Sequence, residues 1–157
     1  MDLKEFILFV ERRQEALRRF LTALCCGDTA TADDIAQEAL LKAWLAVDDL
    51  HDAGRADAWL RRIAYNTFLN HRRSQRPTAS YDEADAMTSS DRADDAFRYQ
   101  SLHRALRALS AAERTSIALY YMEDFSVREI AEIENTSESA VRQHLSRGRR
   151  HLKELIS

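Results

Sequence analysis

One proline, Pro77, and three glycines are all the backbone punctuation in 157 residues. Proline removes a helical hydrogen bond and glycine gives up the most freedom on ordering. A chain this poor in both, and dominated by Ala, Leu, Arg and Glu, has little to interrupt α-helix. The expected fold class is all-α. The length allows one compact domain or two small helical ones, and 45% hydrophobic content suits small cores rather than a large one.

Periodicity places the helices. Phe6, Phe9, Val10, Leu17, Phe20, Leu21 and Leu24 recur at three- and four-residue steps, which predicts a helix over 3–24 ended by Gly27-Asp28. A second helix is predicted over 32–47, with Thr31 or Asp33 as its cap. A third, over 56–73, carries Trp59, Leu60, Ile63, Ala64, Thr67 and Phe68 on its apolar stripe. Arg61, Arg62, Tyr65, Asn66 and Asn70 fall wholly or partly outside that stripe. Around Pro77 the composition turns polar and acidic, as in a flexible linker. Helices are then expected over 96–109, 111–122, 127–133 and 138–156. The division is a first domain at 1–76, a flexible acidic linker at 77–95 and a second domain at 96–157.

The formal net charge of −3 is unevenly spread. Residues 55–76 carry +5, residues 82–95 carry −5 and residues 138–157 carry +3. Two basic faces separated by an acidic stretch imply two contact surfaces for a polyanion, and the modest total implies that a larger partner supplies affinity. The +5/−5 juxtaposition also predicts that the acidic residues Asp82, Glu83 and Asp85 screen a basic face when the free chain folds back. No apolar run approaches the ~20 residues of a membrane span. Met1-Asp2-Leu3-Lys4-Glu5 lacks the features of a signal peptide, so a cytoplasmic location is expected. Cys25 and Cys26 are adjacent, without metal or disulfide spacing, and read as small hydrophobes at a helix end. No P-loop, ligand cluster or nucleophile with its base stands out. Catalytic residues, metals and cofactors are therefore expected to be none, and an enzyme is the least favoured class.

The last third carries the sharpest pattern. Ser126 and Glu129 have the spacing of a capping box, ahead of a short helix whose Ile130, Ala131 and Ile133 point inward. Asn135 sits where a helix-turn-helix needs a left-handed residue, and Asn tolerates that conformation second only to Gly. Ser137 can cap the next helix, on which Val141 and Leu145 face inward while Glu138, Ser139, Arg142, Gln143 and Ser146 face out. Arg pairs with guanine and Gln with adenine in the major groove, while Arg147, Arg149 and Arg150 suit phosphates. The plainer reading is a charged helical hairpin.

The first half carries a second pattern, Trp59, Arg61-Arg62, Tyr65-Asn66 and Arg72-Arg73. Aromatic faces stack bases, Asn bonds an extruded base edge, and Arg tracks a single-strand backbone. Equally, Trp59 and Phe68 read as core residues beneath a solvated basic face. The acidic start of the second helix, 33–38, repels DNA. It reads either as a solvated helix start or as a protein-binding face.

Residues 33–44 (Asp33-Asp34-Ile35-Ala36-Gln37-Glu38 through Trp44) and 58–66 (Ala58-Trp59-Leu60-Arg61-Arg62 through Asn66) resemble region 2 of bacterial RNA polymerase sigma factors of the extracytoplasmic-function group. Residues 109–114, 125–133 and 140–155 resemble region 4 of the same family. The resemblance implies a transcription initiation factor made of two helical domains on a tether, which binds core RNA polymerase and promoter DNA and melts the promoter. It implies that Asp34, Gln37, Glu38 and Lys42 dock on the clamp helices of the largest polymerase subunit, with region 4 reaching the flap. It places Asn66, together with Leu50, Arg55, Trp59 and Arg62, at the single-stranded −10 element. Ser139, Arg142, Gln143, Ser146, Arg147, Arg149 and Arg150 fall at the −35 element. An anti-sigma factor is a further implied partner. The chain departs from the family in having Asn135 and Ser139 where Gly is frequent, and Leu50 where an aromatic is. Two rival readings are a stand-alone helix-turn-helix regulator and a sigma mimic that sequesters an anti-sigma factor.

Overall fold

Asp2 starts the first helix with a capping box. Its carboxylate accepts from the Glu5 N–H at 2.8 Å, and the Glu5 carboxylate accepts from the Asp2 N–H at 3.3 Å. In this computed structural model, which describes residues 1–75 and 93–156, that helix is α1 (Leu3–Leu24). It ends as Cys26 turns left-handed (φ 54°) and the Gly27 N–H reaches back to the Thr22 carbonyl at 2.9 Å. Gly27 itself has φ 95°, and a Cβ there would stand 2.8 Å from His103 Nδ1, so only glycine fits.

The second helix, α2 (Thr29–Leu45), begins earlier than its apolar pattern predicts. Asp28 is the cap instead of Thr31 or Asp33. It accepts from the Thr31 N–H at 3.1 Å and also from the Thr31 hydroxyl at 2.7 Å, so that hydroxyl is already engaged. Short 3₁₀ turns at Val47–Asp49 and Ala53–Arg55 lead into α3 (Ala56–Ser74). The helices α4 (Ala93–Arg107), α5 (Ala111–Ile117), α6 (Val127–Glu134) and α7 (Glu138–Ile156) complete the described chain. The helix expected over 111–122 does not run through: Ala118–Met122 widens into a π-turn, and the Phe125 N–H folds back to the Leu119 carbonyl at 3.0 Å. Helix α4 starts inside the segment read as linker. Most of that segment, with Asp82, Glu83 and Asp85 and the screening expected of them, lies outside the described residues.

Helices α1–α3 form one unit around Phe20, Leu21, Leu24, Ile35 and Leu60, each 2% exposed or less. Helices α4–α7 form a second around Leu119, Ile130, Ile133 and Val141. Burying each such side chain stabilises by about 1.5–3 kcal/mol. No strand occurs among the described residues, as the all-α reading requires. The two units do not stand apart: their buried residues form one continuous core, α1 touches α4, α5 and the π-turn, and α3 lies against α6.

That seam overturns one reading of α3. Arg61 and Tyr65, assigned outside the apolar stripe, are 2% and 7% exposed. Arg61 donates to Glu123 Oε2 from Nη2 at 2.7 Å and from Nε at 3.2 Å, and its guanidinium carbon stands 5.8 Å from the Phe20 ring centre. A helix face that the first unit alone would leave wet is covered here by the second unit.

Candidate nucleic-acid and protein interfaces

The helix-turn-helix is built as its caps require. Ser126 and Glu129 form the reciprocal capping box of α6, and Asn135 takes the left-handed conformation (φ 55°, ψ 52°). The Thr136 N–H then reaches the Ala131 carbonyl at 2.9 Å, closing the turn. Ser137 Oγ accepts from the Ala140 N–H at 3.0 Å and opens α7. Val141, Leu145 and Gly148 are buried. Ser139, Arg142, Gln143, Ser146, Arg147, Arg149 and Arg150 are all exposed, so the 3.6-residue period turns every one of them to solvent. Arg142 has an exposed pairing with Glu138 at 3.4 Å, and Arg149 donates to the Tyr121 hydroxyl at 3.1 Å. Neither contact is strong enough to keep these side chains from a ligand.

On the first unit, Leu50, Arg55, Trp59 and Arg62 share the wall of one cleft of about 870 Å³. Its opposite wall is the α6–α7 turn, with Glu132, Asn135, Thr136 and Glu138. Arg55 is ion-paired to Glu132 across it. Trp59 is packed against the core and also lines the cleft. Asn66 is exposed one turn beyond Arg62 and does not line the cleft.

The acidic face of α2 is free. Asp34, Gln37 and Glu38 are exposed, and Glu38 pairs with half-buried Lys42 at 2.9 Å. Sequence reasoning missed what lies beside them: Leu41 and Leu45 are 59% and 76% exposed. Their spacing from Gln37, four and then eight residues, was the available signal, since it puts both on the polar side of the helix.

A buried polar cluster under the turn was also missed. Glu134, whose side chain is 2% exposed, accepts from the Ser116 hydroxyl at 2.6 Å and stands 3.5 Å from His144 Nδ1. Burial pushes the Glu134 carboxyl up to about 7, the Ser116 bond opposing, and burial holds the His144 imidazole below its ordinary value. Burial thus favours the uncharged form of both groups, and the cluster ties α5, α6 and α7 together. Nearby Tyr65, across the seam, is pushed up to about 12, chiefly by burial. Among the described residues no group of three or more His, Cys, Asp or Glu is placed to hold a metal ion, and no helix is long and apolar enough to cross a membrane.

Residues 9–78 match the family model described as Sigma-70 region 2, and residues 99–152 match Sigma-70 region 4. The chain belongs to the sigma-70 family, in its extracytoplasmic-function group. It is 34% identical over 125 residues to the ECF RNA polymerase sigma factor SigL of Mycobacterium tuberculosis, covering 76% of this chain and 71% of that one. It is also 34% identical over 132 residues to the probable RNA polymerase sigma factor RfaY of Xanthomonas campestris. That alignment takes in 78% of this chain but only 33% of the longer relative. The fold resembles the sigma factor RpoE of Bartonella quintana, solved in complex with the anti-sigma factor NepR. The TM-score is 0.78 at 27% identity, with 98% of each chain covered. In sigma-factor terms, α2, α3 and most of α1 fall within the region 2 match and α5–α7 largely within the region 4 match.

Proposed function

We propose that this sigma factor binds core RNA polymerase, directs it to particular promoters and promotes their melting. The reading rests above all on α7, where every residue expected to meet duplex DNA is exposed on one face opposite buried Val141 and Leu145. Region 2 spans 1–76 and region 4 spans 96–157. Arg142 and Gln143 reach base edges of the −35 element, and Ser139 and Ser146 flank them. Arg147, Arg149 and Arg150 hold phosphates. Leu50, Arg55, Trp59, Arg62 and Asn66 receive the non-template strand of the −10 element. Extruding a base costs a few kcal/mol and stacking on Trp59 offsets it.

Asp34, Gln37, Glu38 and Lys42 bind the clamp helices, and exposed Leu41 and Leu45 supply the apolar contact that a purely charged face lacks. A groove of about 520 Å³ lined by Leu102, Leu106, Tyr121, Met122 and Leu152 suits an apolar helix such as the flap tip or an anti-sigma segment. The protein works in the cytoplasm, and no chemical step is assigned to its own side chains.

Run-off transcription with reconstituted core enzyme tests this. Promoter-dependent product should appear from promoters selected out of a random library, and Glu38→Lys should abolish both product and co-elution with core. Tight sequence-specific DNA binding without any need for core enzyme would favour the stand-alone regulator instead. The sigma-mimic reading is disfavoured because Arg142, Gln143 and Arg147 all remain presented.

A further inference from the structure

Glu134 breaks the pattern of its own helix. It stands four residues after buried Ile130, on the side of α6 that faces the core, and its side chain is 2% exposed. A carboxyl in such a place lowers stability unless it is hydrogen-bonded. Its Oε2 accepts from the Ser116 hydroxyl of α5 at 2.6 Å, and its Oε1 lies 3.5 Å from His144 Nδ1 of α7. Ser116 Oγ is 3.4 Å from the same nitrogen, so the three side chains close a triangle beneath the helix-turn-helix. Glu134 is also the last residue of α6, immediately before left-handed Asn135. His144 follows Gln143 directly and lies two places after Arg142, the pair assigned to base edges. The triangle thus joins the supporting helix, the turn and the reading helix at one point.

Tyr65 of α3 is the ionisable group facing Glu134 across the seam, with Arg72 bearing on Tyr65. On α7, Arg147 bears on His144, and so does Glu113 from α5. The π-turn residues Tyr120 and Tyr121 are exposed, and Glu123 beyond them is paired with Arg61. Among the described residues no arginine or lysine pairs with Glu134. Once ionised, its carboxylate keeps one hydroxyl donor, and its second oxygen depends on His144 Nδ1, which donates only when it carries hydrogen. A buried charge so poorly matched is relieved by water, which reaches it when the turn loosens.

We propose that Glu134 is a positioning residue for −35 recognition: protonated, it seats the α6–α7 turn and the start of α7 for the major groove, and its ionisation unseats them. The proposal rests on the assignment of α7 to the −35 duplex. Proton and DNA are then linked ligands, each raising the other's affinity by the same factor. Burial has raised the carboxyl to about 7, so promoter affinity falls as pH rises through that value. An ionised carboxylate beneath α7 also repels DNA phosphates, which acts in the same direction.

The test uses holoenzyme reconstituted from core polymerase and the full chain as wild type, Glu134→Gln, Ser116→Ala or Glu154→Gln. The last removes an exposed carboxylate elsewhere on α7 and serves as the control. Fluorescence anisotropy gives the dissociation constant from pH 6 to pH 8 for a labelled promoter selected from a random library. The same promoter with its −35 element scrambled is measured beside it. Wild-type affinity relative to a variant is the quantity read, because the pH dependence of the polymerase and of His144 is common to both. Relative to Glu134→Gln it should fall about fivefold over this range on the selected promoter, the low end for linked sites. It should stay level on the scrambled promoter, and level against Glu154→Gln on both. Ser116→Ala removes the donor that favours ionisation, so its own fall should come at higher pH. A level ratio on the selected promoter, an equal fall on the scrambled one, or a fall at lower pH in Ser116→Ala overturns the proposal. Helical circular dichroism should match across the four chains at both ends of the range. Helix lost from the wild type alone at pH 8 overturns it too, since unfolding then explains the fall. If Glu134→Gln does not fold, the direction of the Ser116→Ala shift decides. Holoenzyme that shows no −35 dependence at any pH sinks the assignment of α7 itself, a result distinct from a level ratio.

Discussion

Arg114 of α5 donates from Nη1 to the carbonyl of Leu24, the last residue of α1, at 2.8 Å and across 90 positions of sequence. The same guanidinium donates from Nε to the Leu106 carbonyl at 2.9 Å and from Nη2 to the Leu109 carbonyl at 3.1 Å. One cation thus satisfies carbonyls at the ends of α1 and α4, where backbone acceptors lack partners and the helix dipole is negative. Removing it takes that donor from the Leu24 and Leu109 carbonyls, while the Leu106 carbonyl keeps the Leu109 N–H at 3.1 Å. Arg114→Met should cost about 3 kcal/mol of unfolding free energy in urea. Arg114→Lys, which reaches one carbonyl as a point donor, should recover less than half. A loss below about 1 kcal/mol for the methionine variant would remove this account of the seam.

The pH dependence follows from Glu134. Its folded value, about 7, lies above its ordinary 4.5, so the unfolded chain releases this proton first. The carboxyl therefore lowers stability progressively as pH rises from about 4.5 to about 7. His144 works the other way: held neutral by burial, it costs stability below its ordinary 6.5 and relieves that cost as pH rises through it. Glu134→Gln keeps the hydrogen bonds and removes the first effect. The stability difference between variant and wild type should shift towards the variant from pH 5 to pH 7.5, read by thermal melts at each pH. A pH-independent difference would mean the carboxyl titrates normally.

Gly148 sits on α7 where that helix crosses α5, and a Cβ there would lie 2.8 Å from Ile117 Cγ1. Alanine in a helix interior is worth about 1 kcal/mol over glycine, and overpacking a buried contact costs about 1–3 kcal/mol. Overpacking wins because Ile117 is itself 7% exposed and hemmed in. Gly148→Ala should lower the melting temperature by several degrees, and a rise would show that α5 moves aside freely.

The proposed function divides the outward face of α7 into base readers and phosphate binders. Arg142→Ala should cost about 1–3 kcal/mol at one promoter position and relax preference there. Arg149→Ala should weaken all promoters alike and reduce the slope of log affinity against log salt by about one. Filter binding of holoenzyme across a promoter panel and a salt series checks both. Equal losses from the two substitutions would contradict the division.

Much of this fold is legible in the order of residues alone. The apolar stripe of α1 and the Gly-Asp beyond it place this helix, because a 3.6-residue period and a terminal Gly-Asp are local signals. The capping box at Ser126 and the left-handed Asn135 are equally local, and so is the outward set on α7. Asp28 escapes notice as a cap because Thr31 and Asp33 compete on residue type alone. Only the hydrogen bonds decide among them.

The pattern of side chains along the chain determined two helical units, their order and which faces each would offer, since those depend on periodicity, caps and charge within a few turns. Tertiary packing alone decided that Arg61 is buried rather than solvated, that Arg114 ties α1 to α4, and that Glu134 holds its proton to a higher pH than a free carboxyl. Each of these outcomes needs a neighbour distant in sequence: Glu123 for Arg61, Leu24 for Arg114, Ser116 and the surrounding burial for Glu134. A charge is solvated or sequestered according to what covers it, and no local period encodes that cover.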